Sequence, residues 1–304
     1  MTASRPKRLL AGIELGGTKC ICVLGGPENV IAHERVPTTD PQTTFREIDA
    51  VLANWRRDHG RFEALGIAAF GPLDLQPSSR TYGYITSTPK EGWQNVEVVG
   101  RFARQFDAPI GFNTDVNGAA LAEGRLGASA GLQDFAYITV GTGVGVGIVV
   151  NGQTIRGCNH TELGHLRVAR DATDTWPGSC LFHGACVEGL ASGTAIAARA
   201  GMTADLLSPD DPTWIPVVSA LTQLLHALVL STAPRRIVLG GGVMTAQAHL
   251  FEKLRRQLQT SLNGYVDVPE LTTGIAQYIV PAALGPMAGP LGSLVLAENV
   301  LHLP

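Results

Sequence analysis

The chain has 304 residues, 45% hydrophobic and 16% charged, which is enough to bury two cores and too apolar for disorder. A formal net charge of −3 with no basic block argues against nucleic acid and anionic membranes as partners. Five cysteines in a chain this long do not make a disulfide framework, and no run of about 18 apolar residues is present to span a membrane.

The opening MTASRPKRLL is positively charged but has no apolar core or cleavage site. It does not read as a secretion signal, and the expected compartment is cytoplasmic. Residues 9–15, 21–24 and 30–36 are short apolar runs between Gly-rich turns, which predicts a three-stranded meander. Cys20 and Cys22 stand two apart in the second run, on one face of a strand, where core roles suit them. Between residues 43 and 59, Phe45, Ile48, Val51, Leu52 and Trp55 recur at helical spacing. Residues 65–70 form a buried strand that ends in Gly71-Pro72. Residues 74–95 follow as an irregular stretch with Pro77 and Pro89, and so long a loop usually carries function. A short helix over 98–106, a strand over 108–113 and a small-residue helix over 116–125 complete this half.

The polar, small-residue stretch GRLGASAGLQD marks a domain change near residues 120–130, after which the opening pattern returns. Strands are expected over 135–140, 144–150 and 153–155, with a glycine turn between the first two. Helices are expected over 186–201, 215–233 and 246–262, with a strand over 237–239 that runs into Gly240-Gly241-Gly242. A strand over 278–281 and a helix over 287–300 follow. This is the pattern of an α/β protein of two related halves.

Three glycine turns each follow a strand: Gly16-Gly17-Thr18-Lys19, Gly141-Thr142-Gly143 and Gly240-Gly241-Gly242. Glycine lets the backbone approach a phosphate and aim N–H groups at it. One such turn could simply be a hairpin needing positive φ; three of them, two with a threonine, point to a nucleotide. GIELGGTK leads into an apolar strand rather than a helix, so it is not a Walker A loop. GTGVGVG alternates at period two into Ile148-Val149-Val150, so it is not a dinucleotide fingerprint. Two hairpins presenting phosphate-binding turns from similar halves remain.

Residues 162–193 place His165, Cys180, His183 and Cys186 in one loop-like segment flanked by Glu162 and Glu188. Each ligand alone has an ordinary core or hydrogen-bonding role, but C-x2-H-x2-C with a second histidine upstream suits tetrahedral zinc. Asp115 lies between a strand end and a helix start. A carboxylate there either caps the helix or projects into an interdomain cleft as a base, and the residues alone leave both open.

ELGGTK, NTDVNGAALAEG, the GTGVGVG hairpin, ELGH with the C-x2-H-x2-C loop, and LGGGV together resemble the ROK family of sugar kinases, in the right order over nearly the whole chain. AAFGPLDL and TYGYITSTPKEGW are similar to the bacterial fructokinases of that family. The resemblance implies a two-lobed actin/hexokinase-like (ribonuclease H-like) ATPase fold with a zinc-binding loop. The small lobe would span residues 1–120, completed by a helix in 285–304, and the large lobe residues 121–284. It implies ATP-dependent phosphorylation of a hexose at the 6-hydroxyl, D-fructose before glucose or an N-acylmannosamine, with Mg²⁺ on the nucleotide and a structural Zn²⁺. Closure of the lobes about the junction near Ala120 is expected to exclude water.

On this resemblance Asp115 is the catalytic base. Gly16, Gly17, Thr18, Lys19, Gly141, Thr142 and Gly143 hold phosphates, and Gly241 and Gly242 lie beside the adenosine. Gly71, Pro72, Asn113, Glu162, His165 and Glu188 face the sugar, with the 88–90 loop beside them, and His165, Cys180, His183 and Cys186 hold the zinc. Two departures stand out. Glu14 occupies the place of the wider superfamily's Asp, and Thr114 stands directly before Asp115 where related glucokinases have Asn. A homodimer is expected. The rival from another class is a sugar-responsive repressor, which needs a basic DNA-binding domain ahead of the first hairpin; a zinc-stabilised scaffold without ATP binding is a third reading.

Overall fold

The computed structural model describes residues 8–302, so most of the charged N-terminal stretch lies outside the described residues. The described part of Met1–Ala122, the short segment Arg156–His160 and the described part of Pro286–Pro304 form one compact unit. Glu123–Ile155 and Thr161–Gly285 form the other.

In the first unit, β1 (Leu10–Leu15), β2 (Lys19–Gly26) and β3 (Asn29–Pro37) make the meander. Cys20 and Cys22 are buried on β2. The helix α1 (Pro41–His59) starts where Asp40 Oδ1 accepts the Thr43 N–H at 2.9 Å and Pro41 presets the first turn. It stops at Gly60, whose φ of 93° favours glycine. Its buried face, Phe45, Ile48 and Leu52, contributes about 1.5–3 kcal/mol per side chain.

The chain continues through β4 (Leu65–Ala69), the two-residue pair β5 (Tyr84–Ile85) and β6 (Val96–Glu97), and α2 (Val99–Phe106). The stretch read as irregular over 74–95 therefore contains one strand of a small antiparallel pair. Next come β7 (Ile110–Thr114) and α3 (Asp115–Leu126). The sheet order is β3-β2-β1-β4-β7, with β1, β4 and β7 parallel, so the carboxyl ends of these three strands share one edge. In open α/β sheets that edge is where ligands bind.

The second unit repeats the plan with β8 (Phe135–Val140), β9 (Val144–Val150) and β10 (Gln153–Thr154). Then follow α4 (Val187–Ala191), α5 (Gly193–Ala200), α6 (Trp214–Thr232) and β11 (Ile237–Gly240). The unit closes with α7 (Gly242–Ala246), α8 (Leu250–Leu262), α9 (Ile275–Tyr278) and β12 (Ile279–Pro281). The order β10-β9-β8-β11-β12 matches the first sheet strand for strand, including parallel β8, β11 and β12. The helix α6 has the length and apolarity to cross a membrane, with mean hydropathy 1.6. Yet Trp214, Val217, Leu221, Leu224, Leu225 and Leu228 are buried in this unit's core.

The sequence reading needs three corrections here. The helix expected over 186–201 is broken at Ser192, which is extended (φ −67°, ψ 158°) and whose Oγ accepts the Ala195 N–H at 3.1 Å. Serine prefers capping to a helix interior. The helix expected over 246–262 starts only at Leu250. Gln247 leaves the helical path and donates its amide N–H to the Ala204 and Leu207 carbonyls. The short helix α7 was not expected: Gly240 ends β11 and Gly242 begins α7 directly after it.

Finally α10 (Ala288–Val300) belongs to the first unit and lies directly on its sheet. Glycines make this possible. A Cβ on Gly66 would overlap the Ser293 carbonyl, and one on Gly111 the Leu296 carbonyl. Leu294 and Ala297 are fully buried against Leu10, Val23 and Ala64.

Candidate active site

In the first unit the acids and the first glycine turn gather at the carboxyl edge of the sheet. Glu14, Ala68 and Asn113 stand in register across β1, β4 and β7, so their side chains leave one face of the sheet. The Gly16 N–H donates to the Lys19 carbonyl at 3.1 Å, closing the turn. Thr38 holds it from below, donating its Oγ1–H to the Gly16 carbonyl at 2.7 Å and its N–H to the Thr18 carbonyl at 3.2 Å. Gly17 and Thr18 are exposed, and Lys19 is half-buried. Gly71-Pro72, joined by a cis peptide, follow β4 at the same edge. Asn113 Oδ1 accepts the Thr114 N–H at 2.9 Å and the Asn117 side-chain amide at 2.8 Å.

Asp115 is the first residue of α3, yet the capping duty belongs to its neighbour. Thr114 Oγ1 accepts the Asn117 N–H at 3.2 Å, the reach of an N-cap side chain, whereas Asp115 Oδ1 takes only the adjacent Val116 N–H at 2.7 Å. Burial pushes the Asp115 carboxyl up to about 6. Burial and the Asp115 charge push Glu14 up to about 7, opposed by Lys19. A Cβ on Gly289 would overlap the Glu14 carboxylate, so only glycine fits there, at the start of α10. Two neighbouring acids with little opposing charge form a site for a hard cation or for a proton.

In the second unit, the Gly141 N–H donates to the Gly143 carbonyl at 2.9 Å. The Gly141 carbonyl accepts the Gly193 N–H at 2.7 Å, and the Thr142 carbonyl accepts Thr194 Oγ1–H at 2.8 Å. The start of α5 therefore fixes this turn. Gly241 has φ 87°, and a Cβ there would overlap the Val140 carbonyl, so the turns after β8 and β11 touch each other. Glu188, on α4, accepts the Val144 N–H through Oε2 at 3.1 Å. Its Oε1 lies 4.0 Å from His165 Nδ1. The charge is thus held between the glycine turn and the Cys/His loop, not solvated at a helix start.

His165, Cys180, His183 and Cys186 converge, with their ligand atoms all within 4.8 Å of one another. Cys180 Sγ lies 3.5 Å from His165 Nδ1 and 3.7 Å from His183 Nδ1, and Cys186 Sγ lies 3.7 Å from His165 Nδ1. The backbone arranges this. The one-turn helix Leu163–His165 presents His165, the Cys180–Gly184 bridge presents Cys180, and Cys186 caps α4 by accepting the Gly189 N–H. Burial pushes the Cys186 thiol up to about 11, so a bound cation is what would release its proton. Glu162, at the head of the Leu163–His165 turn, is exposed.

The structure therefore brings together Glu14, Gly16–Lys19, Gly71-Pro72, Asn113 and Asp115 in one unit. In the other it gathers the 141–143 turn, Gly241, Glu188 and the four Cys/His ligands. Sequence reasoning missed Thr38 and the capping role of Thr114. Thr38 acts through a bond to Gly16, too distant in sequence for local pattern to show. The Thr-Asp-x-Asn run could have suggested Thr114 as the cap.

Known proteins resemble this chain over nearly its whole length. The family model described as "ROK family" matches residues 10–300. A fructokinase of Pediococcus pentosaceus is 38% identical over 294 residues, covering 96% of this chain and 99% of that protein. A fructokinase of Zymomonas mobilis is 39% identical over 296 residues, covering 96% and 97%. The crystal structure of a ROK hexokinase from Thermus thermophilus superposes with a TM-score of 0.77 at 27% identity, covering 97% of this chain and 99% of that one. The chain belongs to the ROK family.

Proposed function

We propose that the protein is a fructokinase that transfers the γ-phosphoryl group of ATP to the 6-hydroxyl of D-fructose, giving fructose 6-phosphate and ADP. The observation that carries the chemistry is the Asp115 carboxylate, held at the carboxyl edge of the sheet while Thr114 does the capping. The choice of fructose is supported by the two fructokinases of 38% and 39% identity over nearly the full length.

In this reading Asp115 takes the proton of the 6-hydroxyl as that oxygen bonds to the γ-phosphorus and the bond to the β-bridging oxygen breaks. A carboxyl near 6 is largely ionised at pH 7 yet basic enough to accept that proton. Gly16, Gly17, Thr18, Lys19, Gly141, Thr142 and Gly143 are assigned to the phosphates, and Gly241 and Gly242 to the adenosine. Gly71, Pro72, Asn113, Glu162, His165 and Glu188 are assigned to the hexose, whose vicinal hydroxyls suit carboxylate acceptors. The raised, weakly opposed Glu14 and Asp115 carboxylates suit Mg²⁺, which prefers oxygen ligands and would spread the charge on the phosphates when bound.

The Cys/His cluster is assigned to structural Zn²⁺. Zinc with sulfur at about 2.3 Å and nitrogen at about 2.0–2.1 Å gives a tetrahedral S–N edge of about 3.6 Å. The S–N separations of 3.5–3.7 Å match that edge, and four protein ligands leave no open position for catalysis. His165 turns Nδ1 toward the thiols, which orients the other ring nitrogen away from them for sugar. A homodimer and a cytoplasmic location are proposed on the family resemblance; light scattering tests the first. A panel of hexoses with ATP and coupled ADP detection tests the activity, with fructose expected to give the highest kcat/KM. Preference for glucose or an N-acylmannosamine would replace fructose as the substrate, and no turnover with any hexose would remove the kinase reading.

A further inference from the structure

We infer that His160 is a positioning residue for hexose recognition, acting through the backbone of the Gly71–Leu73 wall. The inference rests on the assignment of Gly71 and Pro72 to the sugar side. His160 is 6% exposed, and its Nε2 accepts the Leu73 N–H at 2.9 Å across 87 residues of sequence. On the other side of the same wall, the Pro72 carbonyl accepts the Thr86 N–H at 2.8 Å and the Thr86 hydroxyl at 3.1 Å. The wall is therefore clamped from both sides by one donor residue and one acceptor ring.

The ring comes from a segment that belongs with this unit by packing and not by sequence. Arg156–His160 leaves the second unit after β10, joins the first, and returns to the second at Thr161. The segment is locally stiff. Arg156 bridges His160, the Gly157 N–H donates to the Asn159 carbonyl at 3.0 Å, and Asn159 Oδ1 accepts the His160 N–H at 2.9 Å. Gln76 adds a side-chain bond to the Gly157 carbonyl. Two residues beyond His160 comes Glu162, and three further on His165, both assigned to the sugar. One imidazole thus sets the wall behind Pro72 and also fixes the chain just before the ELGH motif.

Accepting from Leu73 requires a lone pair on Nε2, so the proton-free nitrogen is the one facing the wall. A side chain without an acceptor at that point leaves a buried N–H unpaired, and the wall must move to satisfy it. The glutamine amide oxygen reaches about as far from the backbone as Nε2, whereas the asparagine amide ends one bond short. This length difference isolates the hydrogen bond from the general effect of replacing a histidine.

The test compares His160→Gln, His160→Asn and His160→Phe by steady-state kinetics with fructose and ATP, alongside thermal melting and zinc content. His160→Asn and His160→Phe are expected to raise the fructose KM about tenfold, with the ATP KM within twofold of wild type and zinc retained. His160→Gln is expected to keep the fructose KM within about threefold. Equal loss in the Gln and Asn variants, a wild-type fructose KM in Asn, or a parallel rise in the ATP KM would overturn the inference. If Phe does not fold, the Gln and Asn pair still decides. A wild-type protein that turns over no hexose would instead fail the fructokinase reading, leaving this comparison without a substrate.

Discussion

The two five-stranded sheets share one strand order and one opening glycine turn, but they differ in what stands behind that turn. Behind Gly16–Lys19 is a neutral hydroxyl, Thr38, and beside it two acids that burial holds partly protonated. Behind Gly141–Gly143 is a carboxylate, Glu188, with a Cys/His cluster next to it. The same scaffold thus carries a pair of buried acids in one copy and a cluster of four metal-ligating side chains in the other. Under the proposed function, the first copy carries the reaction and the second holds a loop rigid.

The strongest way to break this division is at Asp115. Asp115→Asn should lower kcat about 10³-fold with fructose and ATP, since a general base contributes about 10²–10⁴. Retention of more than a few per cent of wild-type turnover would move the base elsewhere. The pH profile gives the same residue a second readout: kcat/KM should fall as pH drops through about 6, where Asp115 takes up its proton.

Next in size is loss of the proposed zinc cross-link. Cys180→Ser or Cys186→Ser should release the metal and lower the melting temperature by about 5–10 °C, from a cost of a few kcal/mol in a unit of this size. The fructose KM should rise while ATP binding persists, as isothermal titration would show. Loss of ATP binding at unchanged sugar affinity would contradict the separation of roles.

A smaller effect, of opposite sign on stability, is expected at Glu14. Its carboxyl is raised from 4.5 to about 7, so the folded chain keeps a proton that the unfolded chain has lost between those values. Stability therefore falls as pH rises from about 4.5 through 7, and the loss is complete above 7. Glu14→Gln should remove this slope and stabilise the unliganded protein at pH 8 by about 1–3 kcal/mol while lowering turnover. A variant no more stable than wild type at pH 8 would show that the acids are not strained. Smallest is Thr38→Val, which removes the hydroxyl under the first turn. It should cost about 1 kcal/mol of stability and raise the ATP KM a few-fold without moving the fructose KM.

Much of this plan was legible in the residues because its signals are local. The meander, the glycine turns and the C-x2-H-x2-C loop depend on period, backbone freedom and ligand spacing, and all appear where the pattern put them. What was not legible depends on bonds between distant residues. Nothing near Gln247 announces that its amide will be drawn to Ala204 and Leu207, ending a helical pattern. Nothing near Arg156 announces that five residues will cross to the other unit. Ser192 lies between: serine is a known cap, but its apolar surroundings read as continuous helix. The capping role weighed for Asp115 falls to Thr114, and only the 3.2 Å bond to Asn117 shows it.

The seat of α10 on the glycine-lined face of β1, β4 and β7 has a consequence in time. Those strands are complete once Ala122 is made, yet the helix that covers Leu10, Val23 and Ala64 begins only at Ala288. At about 5–20 residues per second, a ribosome leaves that face uncovered for roughly 8–30 s. Over that interval the second unit, whose segments span Glu123–Ile155 and Thr161–Gly285, is synthesised. The first half to be made is therefore the last to be sealed, and a nascent chain halted before Ala288 would present a bare apolar sheet to the cell's chaperones.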